Sequence, residues 1–437
     1  MRYSTLADWL SWQETLHPAK VDLGLDRLRV VLERMGLEHP PYALITVAGT
    51  NGKGSCVAML EAILHAAGYR VGAYTSPHLL RYNERIRIER ATLSDAALCE
   101  AFARVDAARG DISLTYFEFG TLAALDIFFR AGLDVVVLEV GMGGRLDAVN
   151  VLDPDVAVVT TVAIDHSAWL GSDREQIGAE KAGIFRAGRA AVYGDADPPV
   201  SVVEHARSLK ASLRCIGRDF GHQRAAGGWS WWGMGLHRHT LPLPRLRGPY
   251  QLNNAATAIM ALELLKPSLP VGQQALRLGL SSVDLPGRLQ LMDERALRIC
   301  DVAHNVQAAT AFAEGLHNLP CAGLTHGVVA MLADKDVSGV ARALADTIQV
   351  WHVAGLSVER GADAAHMAAQ VRAGVGGQPV NEYAEVSMAL EGAAAAAGPA
   401  DRIVVFGSFY TVAVALAPDN DGWWRKTGAE HVTSVSR

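Results

Sequence analysis

Short apolar runs rich in β-branched residues alternate with longer segments of helical periodicity in the first 265 residues. The run YALITVA at 42–48 predicts a buried strand, and the apolar spacing of 55–67 predicts a helix that stops at Gly68. Further predicted strands are 69–75, 135–140, 156–162 and 190–193, and further predicted helices are 94–108, 117–130, 174–186 and 253–265. This alternation predicts a parallel sheet that is covered by helices on both faces.

The alternation begins again after the sequence DLPGR at 284–288. The predicted strands there are 297–301, 326–331, 348–353 and 402–406, and the predicted helices are 306–316 and 338–347. We therefore predict an α/β protein with a larger N-terminal domain at 1–286 and a smaller C-terminal domain at 287–437. The segment 228–244 interrupts the pattern with tryptophans and turn residues, which predicts a small hairpin or an irregular insertion.

Composition removes several classes of protein. Half of the 437 residues are hydrophobic and 20% are charged, which excludes a disordered chain. The net charge is −6 and no basic stripe is present, so nucleic acid is not the expected partner. Five scattered cysteines without a CxxC pair predict free thiols rather than a zinc site. The longest apolar runs, at 133–140 and 156–164, are too short to span a membrane, and we expect a cytoplasmic protein.

The sequence GTNGKGS at 49–55 lies between the first strong strand and its helix. Glycines let the backbone direct N–H groups at phosphate oxygens, and the helix N-terminus adds positive charge. Lys53 can bridge β- and γ-phosphates. The usual pattern is altered, because the first glycine stands at 49 rather than 47 and Gly54 separates Lys53 from Ser55; an ordinary glycine-rich turn is the alternative. The predicted nucleotide contacts are Thr50, Asn51, Gly52, Lys53, Gly54 and Ser55.

This altered loop and the later motifs resemble the Mur-ligase superfamily and, within it, the bacterial bifunctional dihydrofolate synthase/folylpolyglutamate synthase family. The resemblance runs from DLGL at 22–25 to GSF at 407–409. It implies an N-terminal P-loop domain with a Mur-ligase-type central sheet and a Rossmann-like C-terminal domain. It also implies a monomeric ligase that uses ATP and Mg²⁺ to add L-glutamate to dihydropteroate, giving dihydrofolate, and to reduced folates, through an acyl phosphate.

Four polar motifs lie near predicted strand ends or in a helix beside them: TSPHL at 75–79, LEVG at 138–141, IDH at 164–166 and EKAGI at 180–184. Glu139 belongs to an apolar strand, and a buried carboxylate needs a partner such as a metal ion or Arg145. Ser76 and Glu139 offer the oxygen ligands that Mg²⁺ prefers, although Ser76 could simply form a turn. The resemblance implies that Ser76, Glu139 and His166 bind one or two Mg²⁺ ions; the alternative for His166 is a structural histidine at a strand end.

Lys181 raises a separate question, because a protonated lysine beside a divalent cation would repel it. Burial near positive charge lowers a lysine pKa, and a neutral amine can add CO₂ to form a carbamate. The resemblance implies such a carboxylated lysine at Lys181, and catalytic roles for Lys53, Lys181 and His166. The alternative is a surface lysine paired with Glu180.

The motif GPYQLNNAA at 248–256 resembles the adenine-side motif of the family, although many relatives have histidine in place of Tyr250. The resemblance implies that ATP is contacted by Asn254, Arg288, Asp301 and His304. An arginine from a second domain can neutralise γ-phosphate charge only after the domains close. The alternatives are a linker salt bridge for the arginine and strand-end caps for the aspartate and the histidine.

Three segments resemble those that hold dihydropteroate in the bifunctional enzymes: DLGLDR at 22–27, LTYFEFG at 114–120 and RLDA at 145–148. The residues implied are Asp22, Leu23, Gly24, Leu25, Thr115, Tyr116, Phe117, Glu118, Leu146, Asp147 and Ala148. Phe117 and Asp147 suit stacking on, and hydrogen bonding to, a flat pterin, although Phe117 could equally belong to the core. We expect 82–86 to form a mobile loop over the acceptor.

Other functions remain open at this point. One is a folylpolyglutamate synthase without the first activity, and another is a Mur-type ligase that acts on a UDP-sugar peptide. A third is a P-loop binding switch, for which Glu139, His166 and the C-terminal motifs would be superfluous. A folate-storage protein is a weak fourth, because Lys53 and Glu139 are retained.

Overall fold

The computed structural model describes residues 2–225, 227–292 and 296–417, which form two compact units. The first unit comprises residues up to 77, 82–245 and 251–284, and the second comprises 78–81, 246–250 and the chain from 285 onward. The main segment of the second unit thus begins two residues before the boundary predicted after residue 286. The sequence pattern did not anticipate that two short segments from the first half of the chain belong to the second unit.

The first unit contains ten α-helices and eleven strands among its described residues. Its helices are α1 (Leu6–Leu16), α2 (Asp26–Met35), α3 (Lys53–Ala66), α4 (Asp95–Arg109), α5 (Tyr116–Arg130), α6 (Ser167–Leu170), α7 (Arg174–Ala182), α8 (Val200–Ser208), α9 (Gln251–Leu265) and α10 (Gln273–Ser282). Its strands are β1 (Ala43–Ala48), β2 (Val71–Tyr74), β3 (Ile86–Ile88), β4 (Ala91–Thr92), β5 (Val135–Glu139), β6 (Val156–Val159), β7 (Ala190–Tyr193), β8 (Ser212–Cys215), β9 (Phe220–Ala225), β10 (Gly228–Gly233) and β11 (Leu236–Leu241).

Eight strands form the central sheet in the order β4-β3-β2-β5-β1-β6-β7-β8. The six strands β2, β5, β1, β6, β7 and β8 are parallel, whereas β3 and β4 are antiparallel additions at one edge. The register places Val47 beside Glu139, Ala48 beside Val159 and Tyr74 beside Leu138. The carboxyl ends of β2, β5, β1 and β6 therefore meet at one edge, where an open α/β sheet binds its ligands.

Three details of the first unit differ from the sequence pattern. The strand predicted at 156–162 ends at Val159, because the next two threonines bind the phosphate loop instead of continuing the ladder. The helix predicted at 174–186 ends at Ala182, where Gly183 caps it through its N–H group. The loop predicted at 82–86 is wrong: Tyr82–Arg85 is a buried turn of 3₁₀ helix that leads into β3.

The interrupting segment 228–244 does form a hairpin. β10 and β11 are antiparallel and join β9 in a separate three-stranded sheet. Trp229 and Trp231 are fully buried on this sheet, and their indole N–H groups donate to the carbonyls of Pro242 and Ala256. Burial of these rings anchors the small sheet on α9.

The second unit is a six-stranded sheet in the order β12-β13-β17-β14-β15-β16, with β12 antiparallel and the others parallel. Its elements are β12 (Gln290–Met292), β13 (Leu297–Cys300), α11 (Val306–His317), β14 (Thr325–Val329), α12 (Val337–Leu344), β15 (Val350–Ala354), α13 (Ala364–Gly374), β16 (Val380–Tyr383), α14 (Val386–Ala396), β17 (Arg402–Phe406) and α15 (Phe409–Leu416). The predicted α/β repeat is present throughout. Across the described parts of both units, each helix is too short or too polar to cross a lipid bilayer.

Polar side chains on three neighbouring strands of the second unit form a buried hydrogen-bonded chain. His326 Nδ1 lies 3.1 Å from His352 Nε2, and the Tyr383 hydroxyl lies 3.1 Å from His352 Nδ1. His326 Nε2 faces a carboxylate oxygen of Asp401 at 3.7 Å, and the backbone of α14 at Gly392 lies against the Tyr383 hydroxyl. Burial, with a smaller effect of the neighbouring His326 charge, lowers the pKa of His352 from 6.5 to about 4.

We expect acid to destabilise the second unit through His352. Because its folded pKa lies below 6.5, the neutral ring stabilises the fold fully above pH 6.5 and loses this contribution as the pH falls toward 4. Between pH 7 and pH 5 the wild type should lose about 1 kcal/mol more unfolding free energy than His352→Gln, which bonds both neighbours without titrating. Hydrogen exchange of β14 and β15 measures this loss. The exposed His366→Gln is the control, and equal losses in wild type and His352→Gln would contradict the expectation.

Candidate active site

A glycine-rich loop joins β1 to α3 at the ligand-binding edge of the sheet. Gly49 and Gly52 have positive φ angles of +148° and +86°, which residues with a side chain rarely adopt. Helix α3 begins at Lys53, and no described side chain caps its N-terminus. The Lys53 ammonium donates to the carbonyls of Gly49 and Thr50 at 3.0 and 3.3 Å. The loop thus presents a lysine and a helix N-terminus at one point, as phosphate binding requires.

Two threonines after β6 hold this loop in place, and the sequence pattern did not single them out. The N–H groups of Thr50 and Asn51 donate to the carbonyl and the hydroxyl of Thr161 at 2.8 and 3.1 Å. The Thr160 hydroxyl donates to the Asn51 carbonyl at 2.7 Å. A side chain at Gly49 would overlap this hydroxyl. The signal that could have identified them is a pair of threonines directly after an apolar strand.

The start of α9 lies against the start of α3. Gln251 Nε2 donates to the Ser55 hydroxyl at 3.3 Å, and Asn254 Nδ2 donates to Gln251 Oε1 at 2.9 Å. A Cβ atom on Gly52 would lie 2.6 Å from Asn254 Oδ1. The predicted contacts Ser55 and Asn254 therefore belong to one buried network, which Gln251 completes.

Ser76 and Glu139, two of the predicted magnesium ligands, lie side by side. Glu139 is the last residue of β5, and its Oε2 accepts a hydrogen bond from the Ser76 N–H at 3.2 Å. The Glu139 side chain is buried. Burial of the Cys56 thiol, with a smaller effect of the Glu139 charge, raises the pKa of Cys56 to about 12. Arg145, the alternative partner for Glu139, forms an ion pair with Glu180 at 2.8 Å. A buried carboxylate and a serine thus stand at the edge that carries the phosphate loop.

His166 occupies a turn rather than a strand end. It follows β6 by seven residues, has a positive φ of +52° and immediately precedes α6. Its N–H group donates to the carboxylate of Asp165 at 2.8 Å. In the described parts of the chain, no three His, Cys, Asp or Glu side chains form a metal-binding group by themselves. The structure therefore brings together two of the three predicted ligands, Ser76 and Glu139, and places the third in the turn before α6.

Lys181 is a buried residue in the last turn of α7 and not the exposed lysine of the alternative interpretation. Burial, followed by the charge of Lys53, lowers its pKa to about 7, whereas Asp165 and Asp147 act in the opposite direction. The Glu180 beside it points instead to Arg145. A lysine of this kind can carry a neutral amine near neutral pH.

The predicted acceptor segments are joined by an arginine that the sequence pattern missed. Thr115 and Glu118 form a reciprocal capping box at the start of α5, next to Tyr116. Arg27 Nε donates to Glu118 Oε2 at 3.0 Å, and its guanidinium also binds the Asp22 carboxylate. Asp22 to Leu25 and Thr115 to Glu118 are therefore brought together at the starts of α2 and α5.

The other acceptor residues lie beside the end of β5. The Phe117 ring lies on the backbone of Gly141, where a Cβ atom would approach it to 2.7 Å, and 6.1 Å from the Tyr74 ring. Asp147 accepts hydrogen bonds from the N–H groups of Met142 and Val149 at 2.9 and 3.0 Å. Burial raises its pKa to about 6 against these hydrogen bonds and the Lys53 charge. Leu146 and Ala148 flank it in the same turn.

The second unit gathers its predicted residues around the end of β13. Asp301 is buried and accepts from the N–H groups of Leu289 and Ala303 at 2.8 and 2.9 Å. Burial raises its pKa, while the charge of Arg288 lowers it. The Arg288 guanidinium lies 5.2 Å above the Phe409 ring, and His304 Nδ1 donates to the Val302 carbonyl at 2.8 Å. The aspartate and histidine thus have the contacts of strand-end caps, and the arginine stacks on a ring.

Comparisons with known proteins fit this architecture. The Mur ligase middle domain matches residues 47–262, and the glutamate ligase domain of the Mur ligases matches residues 287–409. The chain is 44% identical over 410 residues to the dihydrofolate synthase/folylpolyglutamate synthase of Escherichia coli (strain K12), covering 94% of both proteins. The chain belongs to the Mur ligase family, in its dihydrofolate synthase/folylpolyglutamate synthase branch.

Solved structures of this family have the same fold. E. coli FolC in complex with DHPP and ADP gives a TM-score of 0.89 at 44% identity, over 94% of this chain and 97% of that one. A bifunctional folylpolyglutamate synthase/dihydrofolate synthase with Mn, AMPPNP and L-glutamate bound gives 0.88 at 45% identity, over 94% and 97%. The predicted family and two-domain α/β architecture are therefore confirmed. The roles of individual residues and the boundary after residue 286 stay predictions.

In this family member, Gly52→Ala should weaken nucleotide binding. A Cβ atom would meet the Asn254 amide at 2.6 Å, and the φ of +86° would cost about 1 kcal/mol of stability. Gly68→Ala is the matched control: it has φ +90°, follows the other end of α3 and has open space around the added Cβ. Both variants should have a slightly lower unfolding temperature, but only Gly52→Ala should lose about tenfold in ADP affinity, measured by calorimetry. Equal affinity in the two variants would contradict a nucleotide site here.

Proposed function

We propose that this chain is an ATP-dependent ligase that adds L-glutamate to dihydropteroate, giving dihydrofolate, and to reduced folates. The observation that carries this proposal is that the phosphate loop and the Ser76–Glu139 pair lie at the same edge of one sheet. The relatives support it, since one was solved with DHPP and ADP and another with Mn, AMPPNP and L-glutamate. The free cysteines and the use of ATP suit a cytoplasmic enzyme, and we expect it to act as a monomer.

The phosphates of ATP bind at the start of α3 in this proposal. The N–H groups from Gly52 to Ser55 and the Lys53 ammonium supply hydrogen bonds and positive charge there. Asn254 supports the loop through its contact with Gly52. The second unit is proposed to contribute Arg288, Asp301 and His304 to ATP binding.

The chemistry of Ser76 and Glu139 fits a magnesium ion. A buried carboxylate and a hydroxyl are hard oxygen donors, and Mg²⁺ completes its coordination with waters and phosphate oxygens rather than with a full set of protein ligands. Ser76, Glu139 and His166 would hold the ion, and a carbamate on Lys181 would add a further carboxylate nearby. Bound magnesium supplies positive charge against the transferring phosphoryl group.

The reaction needs no side-chain nucleophile. A carboxylate oxygen of the acceptor attacks the γ-phosphorus of ATP, an O–P bond forms, and the bond to the departing ADP breaks. The neutral amine of L-glutamate then attacks the acyl carbon, a C–N bond forms, phosphate leaves with the C–O bond electrons, and the amine releases a proton. Lys53 stabilises the charge that spreads over the phosphoryl oxygens.

The acceptor's pterin is proposed to bind beside the end of β5. Phe117 offers a ring face next to backbone that lacks a side chain at Gly141, so a flat heterocycle can stack there. Asp147 can accept hydrogen bonds from the amino and ring N–H groups of a pterin, and burial strengthens such bonds. Arg27, with Asp22 and Glu118, joins the segment 22–25 to the segment 115–118, which carries Phe117.

An ADP-release assay tests this function with three acceptors, each with and without L-glutamate: dihydropteroate, a reduced folate and a UDP-sugar peptide. We expect release that depends on L-glutamate with the first two acceptors. Release with only the reduced folate would indicate a folylpolyglutamate synthase without the first activity. Release with only the UDP-sugar peptide would indicate a murein-type ligase. Nucleotide binding without any glutamate-dependent ADP release would indicate a nucleotide-dependent binding switch.

A further inference from the structure

Glu61 and Arg87 form a buried ion pair that the proposed chemistry does not use. Arg87 is the central residue of β3, and Glu61 lies on α3, two turns after the phosphate loop. Arg87 Nε lies 3.1 and 3.0 Å from the two Glu61 oxygens, and Nη2 donates to Oε2 at 2.8 Å. Only 5% of the Glu61 side chain and 15% of the Arg87 side chain are exposed. A pair buried in this way gives more geometric definition than net stability.

The remaining nitrogen of the Arg87 guanidinium points at the turn that carries Ser76. Arg87 Nη1 donates to the Thr75 hydroxyl and to the Glu84 carbonyl, both at 3.0 Å. The Thr75 N–H donates to the Arg85 carbonyl at 2.9 Å. Thr75 is therefore held through its side chain and its backbone, one residue before Ser76.

This contact continues directly to the proposed cation site. The Ser76 N–H donates to Glu139 at 3.2 Å. A path of hydrogen bonds and one peptide bond therefore runs from Glu61 through Arg87, Thr75 and Ser76 to Glu139. Its first residue lies on the helix whose N-terminus forms the phosphate loop. One guanidinium thus connects that helix to the turn of a proposed metal ligand, with a planar fork that lysine cannot reproduce.

We propose that Glu61 and Arg87 are positioning residues that hold the Thr75–Ser76 turn against Glu139 and thereby set the affinity of the cation site. The inference rests on the proposed function, because it takes Ser76 and Glu139 as the cation ligands. Outer partners that orient metal ligands change metal affinity about 10- to 100-fold when they are removed.

The test measures Mn²⁺ binding to the whole chain with saturating AMPPNP, by electron paramagnetic resonance of the free ion. Arg87→Met should raise the Mn²⁺ dissociation constant about tenfold or more. The KM for dihydropteroate should change less than about twofold. Arg238→Met is the matched control, because Arg238 is 18% exposed and pairs with Glu263, which is 5% exposed, at the far end of α9. Both variants should lower the unfolding temperature, but only Arg87→Met should weaken Mn²⁺ binding.

Two further variants make every outcome decisive. Arg87→Lys keeps the charge but cannot reach Glu61 and Thr75 together, so its Mn²⁺ affinity should lie between those of the wild type and Arg87→Met. If Arg87→Met does not fold, the affinity of Arg87→Lys decides the question. Wild-type affinity in Arg87→Lys and Arg87→Met, or an equal loss in Arg238→Met, would overturn the inference. Glu139→Gln distinguishes failure of the cation site from failure of the positioning role. If this variant still binds Mn²⁺ as the wild type does, the proposed cation site itself is wrong.

Discussion

Glu139→Gln is expected to lower glutamate-dependent ADP release from dihydropteroate by about 10²- to 10³-fold. The carboxamide has the shape of the carboxylate, and its oxygen can still accept the hydrogen bond from the Ser76 N–H. It has lost the negative charge that would hold a divalent cation next to the phosphate loop. The change therefore removes one electrostatic function and leaves the local backbone contacts in place.

Glu263→Gln is the control for this substitution. It is the same chemical change at another buried residue, 7% exposed against 5% for Glu139, but it lies at the far end of α9 and pairs with Arg238. It should lower the unfolding temperature and leave the magnesium requirement of ADP release unchanged. If Glu139→Gln turned over as fast as Glu263→Gln, the carboxylate of Glu139 would have no part in catalysis.

The sequence pattern identifies the parallel sheet because its central strands are buried on both faces. The runs at 135–139 and 156–159 are continuous valine-rich segments; Gly141 follows the first after one residue, and two threonines follow the second directly. A buried carboxylate at Glu139 and a glycine-rich loop at 49–55 are local signals, so the candidate site could be placed at one edge before the fold was known. Parallel strands then bring these ends together.

The supporting contacts could not be predicted in this way, because they join residues that are far apart in the chain. Arg87 and Glu61 are 26 residues apart, and Gln251 and Ser55 are 196 residues apart. Periodicity shows which residues are buried but does not show which polar groups pair once they are buried. The same limit explains why the pairing of Arg27 with Asp22 and Glu118 was missed, although both carboxylates were expected at the site.

The segment at 82–86 was mistaken for a loop for a related reason. The sequence Tyr-Asn-Glu-Arg is polar, and polar runs between elements usually lie on the surface. Here Asn83 Nδ2 donates to the Leu93 carbonyl and the Asp95 carboxylate at 2.8 Å, and the Arg85 guanidinium lies 5.2 Å from the Tyr82 ring. Polar groups with such partners can be buried, which composition alone does not reveal.

Lys181 is expected to depend on carbon dioxide for its function. It is buried beside the charges of Lys53, Asp147 and Asp165, and its lowered pKa of about 7 leaves much of the amine neutral at pH 8. A neutral amine adds to CO₂, an N–C bond forms and a proton leaves, and the cation becomes a carboxylate. Enzyme kept free of CO₂ at pH 6 should therefore regain ADP release when it is returned to pH 8 with bicarbonate.

Lys181→Met should lower ADP release by about 10²-fold or more whether or not bicarbonate is present, because the thioether cannot form a carbamate. Added acetate or propionate should partly restore this variant by filling the space with a carboxylate. Lys266→Met, at an exposed lysine near the end of α9, should keep full activity and the same response to bicarbonate. If Lys181→Met were inactive while the wild type did not respond to bicarbonate, the unmodified lysine would be the functional group, since only a carbamate makes activity depend on CO₂.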